Sequence, residues 1–175
     1  MVISIVLDDR PAVLERFGPD IKLSFNVTAK SVVDPEFLQF CIQMDNKYGF
    51  KGKNLCLEVT EQSYLAFDDT TIKALEALRN TGLLLAIDDF SMGQTSIHYI
   101  KDNLFDIIKL DGSLIQELFS HKNNREIISS IVQLTSTLNM SVIAEFVETE
   151  QQRDTLYELG CDIYQGHLYS PAIFL

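Results

Sequence analysis

The chain has 175 residues, 46% of them hydrophobic, and 14 Lys and Arg against 25 Asp and Glu give a formal net charge of −11. That length suffices for one domain with a real core, expected over residues 1–175. The acidic surface disfavours a polynucleotide partner, whose phosphates it would repel, yet it admits a small phosphorylated ligand carried by cations. No apolar run approaches the roughly 20 residues of a membrane span, so no membrane segment is expected. The N-terminus has no basic leader, and a cytoplasmic protein is expected. Cys41, Cys56 and Cys161 show no CxxC spacing and read as packed, reduced thiols rather than ligands or nucleophiles.

The first segment is ambiguous: Val2 to Leu7 reads as a strand, or the stretch to Phe17 as a short helix entered at Pro11. Ile21 to Asn26 (IKLSFN) predicts a strand. Asp34-Pro35-Glu36 opens a helix, with Asp as N-cap and Pro at the first helical position, and Phe37, Leu38, Cys41 and Met44 follow at helical spacing. A strand over Asn54 to Val59 and a helix over Asp68 to Asn80 come next, the helix presenting Ile72, Leu75 and Leu78. The apolar run from Leu83 ends in two adjacent acids, Asp88 and Asp89. A short helical segment over Ile97 to Lys101 and a strand over Phe105 to Leu110 follow. In the helix Arg125 to Leu138, Ile127, Ile131, Leu134 and Leu138 share one face. Ser141 to Glu145 returns as a strand. Thr149 and Gln152 form a capping box for a helix through Leu159, and Asp162 to Tyr164 is a short final strand.

Strand alternating with helix demands parallel strands joined by right-handed crossovers. Each strand ends on polar residues: Asn26, Glu58, Asp88 with Asp89, Lys109 with Asp111, Glu145, and Gln165. The carboxyl ends of parallel strands face one side, where α/β folds bind their ligands. A doubly wound sheet would carry a Gly-rich phosphate loop, and no GxGxxG or P-loop occurs. A (β/α)8 barrel fits the polar strand ends better. It usually needs about 250 residues, so the expectation is a TIM-like barrel lacking its first strand and helix units.

Glu58, Asp88, Asp89, Glu145 and the amide of Asn26 are hard oxygen donors, suited to Mg²⁺ or Mn²⁺ rather than zinc. Two divalent cations would offset such a cluster and clamp a phosphodiester, with Asp88 or Asp89 bridging them. Lys109 either orients the attacking water or pairs with a neighbouring strand-end acid. A Schiff-base lysine is a third reading, opposed by carboxylates that keep it protonated. Glu61 and Glu148 lie three residues beyond strand-end acids and would anchor loops. His98, His121 and His167 share no ligand spacing, and only His167 is placed to reach a pocket rim.

The segments LSFNVTAKSVVDPEFL, LEVTE, AIDDFSMGQTS, IIKLD, VIAEFVETEQQ and LGCDIYQGHLYSP resemble successive motifs of the EAL-domain cyclic-di-GMP phosphodiesterases. The resemblance implies a TIM-like barrel that uses Mg²⁺ or Mn²⁺ to cut cyclic di-GMP to linear pGpG in bacterial second-messenger signalling. It further implies Asn26, Glu58, Asp88 and Asp89 as metal ligands, with Lys109 acting on the nucleophilic water. Glu145, Glu148 and Gln165 would complete the metal and substrate site, Glu61 would hold the loop after Asp89, and Asp111 matches a further family acid. A homodimer, and an upstream signalling or GGDEF-type domain, would be its partners. The chain departs from the pattern in four places. The family's name-giving Glu-Ala-Leu motif, which precedes the region of resemblance, has no equivalent in this chain, and Ser91-Met92-Gly93-Gln94 replaces the usual Gly-Thr-Gly-Tyr. Phe146 stands at a usual glycine, and Gly112 where arginine is common. These departures frame an alternative: an inactive module that binds cyclic di-GMP or a partner protein.

Overall fold

The computed structural model of the chain describes residues 2–50, 55–60, 68–90 and 100–171. Its first element is a helix, α1 (Val2–Phe17), with Pro11 inside it. The strand alternative for Val2 to Leu7 is therefore corrected, and the helix begins well before Pro11. The β-branched opening favours a strand locally, but Ser4, Val6, Leu7, Arg10, Val13 and Leu14 recur at three- and four-residue steps and are buried or half-buried. Burial of that face overrides local propensity.

The chain divides into two compact units, Met1–Ala86 and Ile87–Phe174. In the first, β1 (Leu23–Val27) pairs in parallel with β2 (Leu55–Thr60), and Asn26 sits opposite Glu58. Thr28 caps a short helix not foreseen from the sequence, α2 (Ala29–Val32). Asp34 caps α3 (Pro35–Tyr48) by accepting from the Glu36 N–H, as expected. Asp68 likewise accepts from the Thr71 N–H to cap α4 (Asp69–Asn80). Phe37 and Cys41 on α3, and Leu75 and Leu78 on α4, are buried.

β3 (Leu84–Phe90) crosses the boundary between the units and runs two residues past Asp88. Hydrogen-bonded neighbours follow chain order, β1-β2-β3 and then β3-β4-β5-β6. The second unit continues with β4 (Ile107–Leu110), α5 (Gly112–Gln116), α6 (Asn124–Thr137), β5 (Ser141–Ala144), α7 (Glu150–Glu158) and β6 (Ile163–Tyr164). Every residue of β4 is buried, as strands covered on both faces require. β4–β5 and β5–β6 are parallel. The first three residues of the segment Ile97 to Lys101 lie outside the described residues.

The face of α6 needs correction. Asn124, Ile128, Ile131 and Thr135 are buried, while Leu134 is 40% exposed and Ile127 and Leu138 are half-buried. The apolar periodicity located the helix but set its inward face one position off. Thr135 and Asn124 are polar and still face inward because their side chains find carbonyls, Ile131 for Thr135 and Leu114 for Asn124. α7 matches its sequence signal, with both halves of the Thr149–Gln152 capping box formed.

Candidate functional site

The polar ends of β3, β4 and β5 meet within the second unit. Lys109, almost fully buried, lies with Nζ 2.7 Å from Asp88 Oδ1 and 2.9 Å from Glu145 Oε1. Lys109 sits opposite Ile143, so Glu145 leaves β5 just beyond the lysine's own level. Asp88, Asp89 and Glu145 each offer a carboxylate oxygen within 4.8 Å of the others. Successive side chains of a regular strand point to opposite faces, which would separate Asp88 from Asp89. Asp89 has a φ of 55°, a left-handed conformation that breaks the alternation and brings both carboxylates to one cluster.

Burial pushes the Glu145 carboxyl up to about 7; the Lys109 ammonium opposes that shift and the charge of Asp88 adds to it. An acid so placed is strained when ionised without a second cation. The ammonium offsets only part of the charge of three carboxylates. The donors are hard oxygens, with no histidine or thiol among them, so the cluster fits a hard divalent cation and not zinc. The buried Cys41 and Cys161 thiols are pushed up to about 12 and about 11 by burial, which keeps them inert.

Beside the cluster lies a cleft of about 480 Å³, bordered by Gln116, Glu145, Phe146, Glu148, Gln165 and His167. Its walls are laced together by backbone. The Val147 N–H donates to the Gln165 carbonyl, and the Leu168 N–H to the Val147 carbonyl. Gly166 is required there, because a Cβ would come within 2.3 Å of the Val147 carbonyl oxygen. Gln152 ties the same loop from below. Its Oε1 accepts from the N–H groups of Glu148 and Thr149, and its Nε2 donates to the Ile115 carbonyl. The sequence marked Gln152 only as a capping residue. The bond to Ile115 spans 37 positions and has no local signal.

The other expected site residues are placed as follows. Asn26 and Glu58 are side by side in the first unit, Glu58 buried and Asn26 exposed. Glu148 and Gln165 border the cleft. Asp111 caps α5: its Oδ1 accepts from the Ser113 N–H at 2.7 Å and makes a further short bond with the Ser113 hydroxyl. Glu61, the segment Ser91 to Gln94, and His98 lie outside the described residues. His167 reaches the cleft rim, whereas His121 is exposed and pairs with Glu117. Phe146 was marked only as a departure from a motif, and it forms part of the cleft wall.

A family model described as the EAL domain matches residues 2–172. The cyclic di-GMP phosphodiesterase PdeA of Borreliella burgdorferi is 36% identical over 146 residues, covering 83% of this chain and 22% of that protein. The EAL domain of Mycobacterium smegmatis DcpA superposes with a TM-score of 0.84 at 31% identity, over 94% of this chain and 74% of that one. Klebsiella pneumoniae BlrP1, solved as a manganese and cyclic-di-GMP complex, gives a TM-score of 0.79 at 28% identity, over 94% of this chain and 42% of that one. The chain spans about a fifth to a third of the length of the curated relatives it matches.

Proposed function

The chain belongs to the EAL domain family, and from that premise we propose that it is a cyclic-di-GMP phosphodiesterase module producing linear pGpG with Mg²⁺ or Mn²⁺. The carrying observation is the cluster of Asp88, Asp89 and Glu145 around the buried Lys109. These three acids would hold divalent cation, and Asn26 and Glu58 are assigned as further ligands on the strength of their motifs. Cations bound there would neutralise the phosphodiester and acidify water.

The chain's own groups do the rest. Lys109 fixes the orientation of Asp88 and Glu145 through its two short contacts and sets a positive charge where the phosphate becomes more negative. Burial of the lysine strengthens that field. Gln165 and Glu148 bind substrate from the cleft, and Gln152 holds the loop that carries Glu148. Asp111, assigned to substrate by resemblance, would act through Oδ2, since Oδ1 carries the bonds to Ser113. Glu61 is assigned to the loop after Asp89 by resemblance alone. The greater length of the relatives supports a larger protein in which an upstream signalling or GGDEF-type domain controls this one, with pairing of two copies as a second means of control.

Incubation with cyclic di-GMP and Mn²⁺ should yield pGpG by chromatography, and Asp88→Ala or Glu58→Ala should abolish it. The second reading, a receptor that binds without cutting, draws on Phe146, which replaces a family glycine inside the cleft wall. Micromolar binding with the dinucleotide left intact under every metal would select that reading.

A further inference from the structure

Phe146 has a φ of 54°, in the left-handed region that bulky residues almost never occupy. Such strain persists only where the surroundings enforce it, and it concentrates at ligand-binding positions. The surroundings here are specific. The ring lies directly on Gly112, where a Cβ would come within 2.3 Å of a ring carbon. Gly112 and Phe146 are thus one structural unit: any larger residue at 112 would expel the ring. The two departures from the family pattern match each other.

The ring is not absorbed into the core. Phe146 is 48% exposed and stands in the cleft wall between Glu145 and Glu148, facing the same space as Gln165. An exposed aromatic seated on Gly112 beside polar groups, in a cleft of about 480 Å³, has the form of a nucleobase platform. A core filler would be covered, and a solvated loop would relax out of the left-handed conformation. Resting on the reading of this cleft as a dinucleotide site, we propose that Phe146 stacks on a purine base of the ligand, making it a specificity-determining residue of the site. Glu148 and Gln165 border the same cleft and offer polar groups to the edge of a stacked base.

Glycine accepts this backbone without strain, so Phe146→Gly should fold at least as well as the wild type. Calorimetric titrations with GMP and with ribose 5-phosphate, under one divalent cation, isolate the base. The wild type should prefer GMP by about tenfold or more, Phe146→Gly should lose about tenfold of that preference, and Phe146→Trp should retain it. An unchanged preference in Phe146→Gly, or no preference in the wild type, overturns the proposal. A purely structural Phe146 would shift both ligands together and leave the ratio constant. The outcome is separable from the fate of the phosphodiesterase reading. Turnover of cyclic di-GMP with a Phe146-independent preference sinks only this inference. A Phe146-dependent preference with no action on cyclic di-GMP supports this inference and sinks only the other.

Discussion

Lys109 carries a single positive charge among acids that are close enough to repel one another, and its two contacts of 2.7 and 2.9 Å make it the pivot of the cluster. Removing one partner of a buried ion pair leaves the others uncompensated, typically at about 3–5 kcal/mol. Lys109→Met should therefore destabilise the metal-free protein by about 3 kcal/mol at pH 8, and saturating Mn²⁺ should restore part of the loss, measured by urea denaturation. An undiminished midpoint would mean that the acids are not coupled through Lys109. Glu145 gives a second test. Its folded pKa is raised to about 7 from an ordinary 4.5, so folding favours its protonated form. Its stabilising contribution is complete below about pH 4.5 and is lost as pH rises through 7. Relative to Glu145→Gln, the metal-free wild type should lose several degrees of Tm between pH 5 and pH 8. Parallel Tm curves for the two proteins would contradict the assignment.

Elements place these residues, and here the sequence was only partly legible. Strands and capped helices were readable because they depend on neighbours a few positions away: Asp34 and Thr149 act as the N-caps read from the sequence, and Asp68, read as a helix start, caps α4. The inward face of α6 was not, because Asn124 and Thr135 turn inward for carbonyl partners that periodicity cannot see. The helical state of α1 depends on burial of a face across Pro11. Proline inside a helix removes one hydrogen bond and costs about 3 kcal/mol. Pro11→Ala should accordingly raise stability by about 1–3 kcal/mol in urea, and a loss would show that α1 relies on the proline. Gln152 is the other element-scale device. Gln152→Ala would leave the Glu148 and Thr149 N–H groups and the Ile115 carbonyl without their side-chain partner. A cost of about 2 kcal/mol is expected, together with a raised KM for the dinucleotide from a loosened Glu148 loop. A wild-type KM in that variant would remove Gln152 from the positioning of the cleft.

For the molecule as a whole, the alternation of strands and helices was enough to read parallel strands of a TIM-like fold, and the parallel pairs and the family match agree with that reading. Of the candidate site, the identity of Asp88, Asp89, Lys109 and Glu145 was readable from polar strand ends. That parallel strand ends would bring them to one side was readable too; the left-handed backbone that adds the Asp89 carboxylate to the same cluster was not, because no neighbouring residue announces it. A net charge of −11 sets an anionic ligand against an acidic protein, so cation binding and ligand binding should be linked. Cation at about 100 times its Kd would stabilise the fold by about 2.7 kcal/mol, a Tm gain of roughly 5–10 °C. The most direct test of the proposed phosphodiesterase activity is chromatography of cyclic di-GMP incubated with the protein and Mn²⁺, with parallel reactions containing EDTA or the Lys109→Met variant. Linear pGpG is expected in the first reaction and intact dinucleotide in the other two. Intact dinucleotide in all three, with Mn²⁺ shown to be bound, would contradict it.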